Sequence, residues 1–186
     1  MPIFRFLLLS LTLQTLTYAN SIGININEQD VEASASIQLD RFISPSSSTV
    51  YLLDASYLNA NGDNLTSFGI SGKNALQTLE GVYLAFGAKV VTTRDYTALP
   101  LFARIDLVLP LDEAIPETTL GATIAYAPPV LSYFNAIKYQ EVRIEATMEV
   151  IPNILLYTGY RSIDTDYEPY NKVFTESLYG GLKLSF

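Results

Sequence analysis

The 186-residue chain contains no cysteine and no histidine. The first absence excludes a disulfide framework and thiol chemistry. A small exported fold without disulfides then needs a substantial core, or a membrane, to stabilise it. The second absence removes the commonest catalytic base and the commonest metal ligand together. Positive charge is also short: 11 Lys and Arg stand against 19 Asp and Glu, for a net charge of −8. No basic cluster occurs, so nucleic-acid binding has no electrostatic footprint. No glycine-rich phosphate loop sits between a strand and a helix, and nothing calls for a cofactor. No helix of ordinary length is convincing, and crossover spacing for a parallel sheet is missing.

What is present begins with a leader. Arg5 gives a short positive start, Phe6 to Leu16 is mostly apolar, and Thr17-Tyr18-Ala19 offers small residues for cleavage. The pattern predicts a secretory signal peptide over residues 1–19. The apolar run is well short of the roughly 18 residues that a retained membrane helix requires. Residues 20–186 then form a single domain.

Beyond the leader the period is two almost everywhere, which is the signature of strands. Val31, Ala33, Ala35 and Ile37 alternate with Glu32, Ser34, Ser36 and Gln38. Tyr51, Leu53, Ala55 and Tyr57 alternate with Leu52, Asp54, Ser56 and Leu58. The same holds for Val82 to Val90, Leu101 to Leu109 and Leu120 to Tyr126. In YQEVRIEATMEVI, Val142, Ile144, Ala146, Met148 and Val150 share a face opposite Glu141, Arg143, Glu145 and Glu149. Helix formers are common there, but Glu141, Glu145 and Glu149 would stack like charges on a helix. Residues 154–163 and the segment from about Glu176 complete the clear strands. SIGININ (21–27) and NLTSFGIS (64–71) are shorter candidates. Polar connections are expected at 59–63 and 164–175, a tight turn at Pro152-Asn153, and an apolar loop at 127–138.

One antiparallel sheet of this length would leave aggregating edges unless it closed on itself. In lipid, closure is compulsory, because unpaired backbone groups cost several kcal/mol each. The apolar face carries Leu, Ile, Val and Ala, with Tyr51, Tyr57, Tyr126 and Tyr160 near strand ends as interface residues. The expected fold is therefore all-β, a closed antiparallel transmembrane β-barrel. Ten strands are favoured; the alternative is eight, if SIGININ and NLTSFGIS both lie outside the membrane. A polar face turned to solvent in a soluble sheet would give the same alternation.

The last octet, YGGLKLSF, keeps one apolar face to Phe186. Tyr179, Gly181, Leu184 and Phe186 resemble the C-terminal assembly signal of bacterial outer-membrane proteins. That resemblance implies outer-membrane lipid and the barrel-assembly machinery as partners, and a Gram-negative outer membrane as the location. Residues 126–163 further resemble the YfaZ family of small outer-membrane barrels. The shared features are Tyr126 to Pro128 opening a loop, the Pro152-Asn153 turn and the Gly159-Tyr160-Arg161 strand; GVYLAFGAKV fits less specifically. The resemblance implies a fold and a location rather than a reaction.

The candidate functional residues are the charges on the inner face: Lys89, Arg104, Asp106, Glu141, Arg143, Glu145, Glu149, Arg161 and Lys183, with Glu32 and Asp54 beside them. They read as a solute-selecting lining or as cross-strand ion pairs that hold a filled barrel together, because buried charges must be paired. Asp164, Asp166 and Glu168 lack the glycine-pivoted loop of a calcium site and read as a solvated loop. Three functions remain open: a weak porin-like monomer for small solutes, a closed structural or surface-interaction barrel, and an envelope-modifying enzyme. The missing histidine counts against the enzyme, since its base would have to be a tuned carboxylate.

Overall fold

The computed structural model describes residues 21–39, 49–112, 115–134, 136–167 and 170–186. The leader expected over 1–19 lies outside them, as does Glu168. Twelve strands follow in chain order: β1 (Ser21–Ile26), β2 (Asp30–Gln38), β3 (Val50–Ala60), β4 (Asp63–Ala75), β5 (Val82–Thr92), β6 (Tyr96–Ala98), β7 (Leu101–Val108), β8 (Thr118–Ala127), β9 (Ser132–Phe134), β10 (Ala136–Ile151), β11 (Ile154–Tyr167) and β12 (Tyr170–Ser185).

Ten of them form the wall. Each pairs antiparallel with the next in the order β1, β2, β3, β4, β5, β7, β8, β10, β11, β12. Then β12 pairs back onto β1, from Ser21 opposite Ser185 to Ile26 opposite Gly180. The sheet is thus a closed ten-stranded barrel with no free edge in its wall. SIGININ is a full wall strand, because without β1 the ring could not close. NLTSFGIS is the centre of β4, a strand of 13 residues.

The barrel has two ends. The near end holds Ser21, Phe186, the end of β2 and start of β3, and the connections after β4, β7 and β10. The far end holds the turns after β1 and β3, the longer segments after β5 and β8, and the end of β11 at Tyr167 opposite the start of β12 at Tyr170. Turn chemistry matches sequence at both. Asn61 and Gly62 both have positive φ (52° and 88°), the two-residue hairpin turn that matches strand twist. Asn153 has φ 69° directly after Pro152, as the second central residue of a type II turn requires.

At the far end the wall is uneven. β10, β11 and β12 are 16, 14 and 16 residues long, whereas β7 has 8. The polar loop expected at 164–175 is largely strand, paired as far as Tyr167 opposite Tyr170. Above the short β7 and β8, the ribbon of β6 and β9 fills in: β6 pairs antiparallel with the end of β5 on one side and with β9 on the other. The apolar loop expected at 127–138 thus contains a 3-10 turn (Pro129–Leu131), β9 and the start of β10.

The two faces separate cleanly. Ile24, Leu53, Phe68, Ile70, Phe86, Leu101, Ile105, Ile124, Ile144, Leu156 and Leu182 are all exposed on the outside. So large an apolar surface marks a membrane or partner interface rather than a water-facing one. Glu32, Asp106, Glu141 and Arg161 are buried inside.

Candidate functional site: the lumen

The interior falls into two zones. The far half is apolar. Leu58 and Ala60 of β3, Leu65 of β4, Val91 of β5, Ala127 of β8, Tyr139 of β10, Ile163 of β11 and Phe174 of β12 form one buried cluster with Tyr96 and Ala98 of β6. Leu58, Val91, Tyr139 and Ile163 are 0% exposed, so water does not reach them. The β6–β9 ribbon completes this plug: Tyr96 points inward and its hydroxyl accepts a bond from Thr165 Oγ1 on β11, at 2.9 Å.

Beneath the plug lies a chain of alternating charge. Arg161 donates to Asp30 Oδ2 (3.0 Å) and Glu32 Oε2 (2.7 Å). Glu32 also accepts both terminal nitrogens of Arg143, at 2.8 and 2.9 Å. Arg143 Nε donates to Glu141 Oε1 at 2.6 Å, and Lys89 closes the chain on Glu141 Oε2. Planar, bidentate Arg–carboxylate contacts of this kind are among the stronger hydrogen bonds in proteins. Neutral donors supplement them: Thr175 and Ser177 donate to Asp30, Asn25 to Glu32 and Tyr139 to Glu141.

A second chain stands nearer the near end. Arg104 bridges Glu145 (3.0 Å) and Asp106 (2.7 Å), and Lys73 donates to Asp106 at 2.8 Å. Exposure marks how far water reaches from this side. The side chains of Lys73 and Arg104 are each 31% exposed, and that of Arg161 is 0%. A chamber of about 330 Å³ occupies this near half. It exists because the inner face of β1 to β4 carries small residues, among them Ser34, Ser36, Ser56, Ser67, Gly69 and Ser71.

Of the sequence-predicted lining residues, Lys89, Arg104, Asp106, Glu141, Arg143, Glu145 and Lys183 line the chamber. Arg161 lies deeper, against the plug. Glu149 does not line it: its carboxylate accepts the backbone N–H of Asn153 at 3.0 Å and braces the 152–153 turn. The register shift between Glu149 and Ile151 places it beside that turn. Asp166, read from the sequence as part of a solvated loop, is paired with Lys138 at 2.7 Å.

The residues read as an assembly signal divide between the faces. Leu184 and Phe186 are exposed outside. Tyr179 and Gly181 face the lumen and are held there by packing. Tyr179 is opposite Gly159, and Tyr157 is opposite Gly181. Each tyrosine lies over its glycine, and a Cβ on Gly181 would stand 2.7 Å from Tyr157 Cζ. Tyr179 also donates to Glu145 at 2.9 Å and faces the Arg161 guanidinium, 5.0 Å from its ring centre.

Sequence reasoning missed Asp30, Asn25, Lys73, Tyr157 and the apolar plug. Lys73 was within reach, since alternation continues from Ser71 through Gly72 to Lys73. Leu58, Leu65 and Val91 were also legible, as apolar residues on the polar register at the ends of their strands.

The site and fold define a closed β-barrel with an ion-paired, one-sided lumen. No family model and no curated protein matches the chain. Among solved structures it is similar to the NanC porin, at 6% identity over 89% of this chain and 97% of that one, with a TM-score of 0.44. It is also similar to the KdgM porin, at 7% identity over 90% of this chain and 99% of that one, with a TM-score of 0.43.

Proposed function

We propose that the chain is an outer-membrane β-barrel, of the kind the YfaZ resemblance implies, that stays closed to solutes in the state described above. The near end faces the periplasm and the far end faces outward. The observation that carries the reading is the fully buried apolar cluster across the far half of the lumen. A conducting pore needs a continuous water path, and in a barrel this narrow a layer of packed side chains is enough to interrupt it. The exposed apolar belt supports the membrane location. Strands of 8 to 11 residues, such as β7, β2 and β5, match the roughly 9–11 residues of a tilted transmembrane strand.

A weak porin is the second reading, supported by the chamber that carries water halfway through the barrel. The enzyme reading draws no support from Glu32, Asp106, Glu141 or Glu145, which are all held in ion pairs.

Planar-bilayer recording of the refolded protein separates the first two. Folded protein should be silent. Discrete conductance steps that change when Arg143 is replaced by Gln would establish the porin reading instead. Location is checked separately: the protein should stay with the membrane after a carbonate wash and shift in mobility on heating in detergent. Recovery as a soluble periplasmic monomer would sink the membrane reading.

A further inference from the structure

We propose that the near-half chamber is a binding site for a short zwitterion, of dipeptide size, taken up from the near end. This adds a ligand to the closed-barrel reading and rests on that reading for the side from which the ligand arrives.

The chamber has the form of a pocket. Its floor is the Glu32–Arg143–Glu141 chain, and above that floor lies the apolar plug, so the cavity has one mouth. Its volume of about 330 Å³ falls within the usual range for small-molecule sites.

The charges lining it are not equivalent. Lys73, Lys89, Arg104, Asp106, Glu141, Arg143, Glu145 and Glu32 satisfy one another in the two chains described above. Two lining charges, Asp54 and Lys183, make no direct salt bridge among the described residues: Asp54 accepts a hydrogen bond from Ser36, and opposite charges such as Arg104 for Asp54 and Glu145 for Lys183 act on them only at longer range. They have opposite signs and stand on different strands. A hydrogen-bond row runs from Lys183 through Gly23 and Ser34 to Ser56, and Asp54 is the next inward-facing residue of β3. Lys183 and Asp54 are thus three inter-strand spacings apart, about 14 Å across the sheet, and about 7 Å apart along the strands. The long Lys stem shortens that gap, and its ammonium sits 5.4 Å from the Tyr157 ring centre.

A buried or half-buried charge without a counter-charge is costly unless something pairs with it. One ligand carrying both signs would satisfy both groups: its carboxylate against Lys183, its ammonium against Asp54. Peptide-like polar atoms between them would meet the hydroxyls of Ser34, Ser36 and Ser56. A simple anion or cation would answer only one group. An apolar ligand would leave both charges without a direct counter-charge.

The test uses the refolded protein in detergent micelles and ligand-detected saturation-transfer NMR, with calorimetry for affinity. The probes are glycylglycine, its N-acetyl form and its C-terminal amide. Wild type should bind glycylglycine with millimolar affinity and each blocked form about tenfold more weakly. Asp54→Asn should remove the discrimination against the N-acetyl form, and Lys183→Met that against the amide. Ser34→Leu, which narrows the chamber without touching either charge, should abolish binding while leaving heat-modifiability intact. Equal affinity for all three probes, no binding by wild type, or binding unchanged in Ser34→Leu would each overturn the proposal. Because binding is read without a bilayer, its failure would leave the closed-barrel reading standing, and bilayer conductance would leave the pocket to be judged by this assay.

Discussion

The two halves of the lumen are built from the same ten strands yet are stabilised by different physics. The far half is filled by apolar side chains packed against one another, as in a soluble core. The near half is lined by ion pairs and hydroxyls around a chamber. Between them, the Asp30–Arg161–Glu32 contact is as dry as the plug and as charged as the chamber wall. In a barrel, then, "inside" is not one environment: distance from the near mouth decides whether a charge is screened by water or must be satisfied by protein.

The sharpest way to break this division is to remove its central cation. Arg161 is fully buried and holds two carboxylates. Arg161→Met should destabilise the barrel by about 3–5 kcal/mol, because Asp30 and Glu32 would keep their charge with less to balance it. Urea unfolding in detergent reads the loss. A change under about 1 kcal/mol would show that water reaches this layer.

Next comes a direct contrast between halves. Leu58→Ala opens a void in the plug and should cost about 2–5 kcal/mol. Ser56→Ala, two residues away in the chamber wall, removes one hydroxyl whose partner is Ser67, 2.8 Å away, and should cost no more than about 1 kcal/mol. Equal effects in the same unfolding assay would mean the two zones are not distinct.

Gly181→Val tests the tyrosine packing that joins them. The new side chain meets the Tyr157 ring and Ile24 O, so assembly and heat-modifiability should fall, at a cost of about 1–3 kcal/mol from overpacking. Gly181 therefore cannot test the assembly signal cleanly. Deleting Phe186, which is exposed outside, does: assembly should fall if the machinery reads the terminus, with little change in the stability of protein refolded without it.

Most of the wall was legible in the sequence, because a strand with an exposed apolar face on one side and a polar lumen on the other must alternate. Val142, Ile144, Ala146 and Met148 against Arg143, Glu145 and Thr147 left no other register. The signal failed where the environment stops being two-sided. Toward the far end, both faces of β11 and β12 can be polar, so Asp164 to Thr175 read as a loop although β11 runs to Tyr167 and β12 begins at Tyr170. Below the β6–β9 ribbon, both faces can be apolar, so alternation breaks there: Leu58 and Val91 stand apolar on the polar register, a signal that was passed over. Lys73 was lost to a boundary placed two residues short. Glu149 was misassigned because alternation gives the side a residue faces, not which group it bonds at the turn.

The smallest effect belongs at the near mouth, where Lys73 is the counterpart of Arg161. Both pair with inner-face carboxylates at similar distances, 2.8 Å to Asp106 in one case and 3.0 and 2.7 Å to Asp30 and Glu32 in the other. Distance alone would therefore assign them similar weight. Burial does not: the Lys73 side chain is 31% exposed, and Asp106 keeps Arg104 as a second partner when Lys73 is lost. Lys73→Met should cost about 0–1 kcal/mol, the range for water-exposed pairs. Ionic strength sharpens the comparison further. Salt screens exposed charges over roughly 10 Å at 0.1 M and barely reaches buried ones. The Lys73→Met penalty should therefore shrink toward zero in concentrated salt, while the Arg161→Met penalty stays. If both penalties fell together, the whole charged chain would lie in water, and the floor of the chamber would not be a seal.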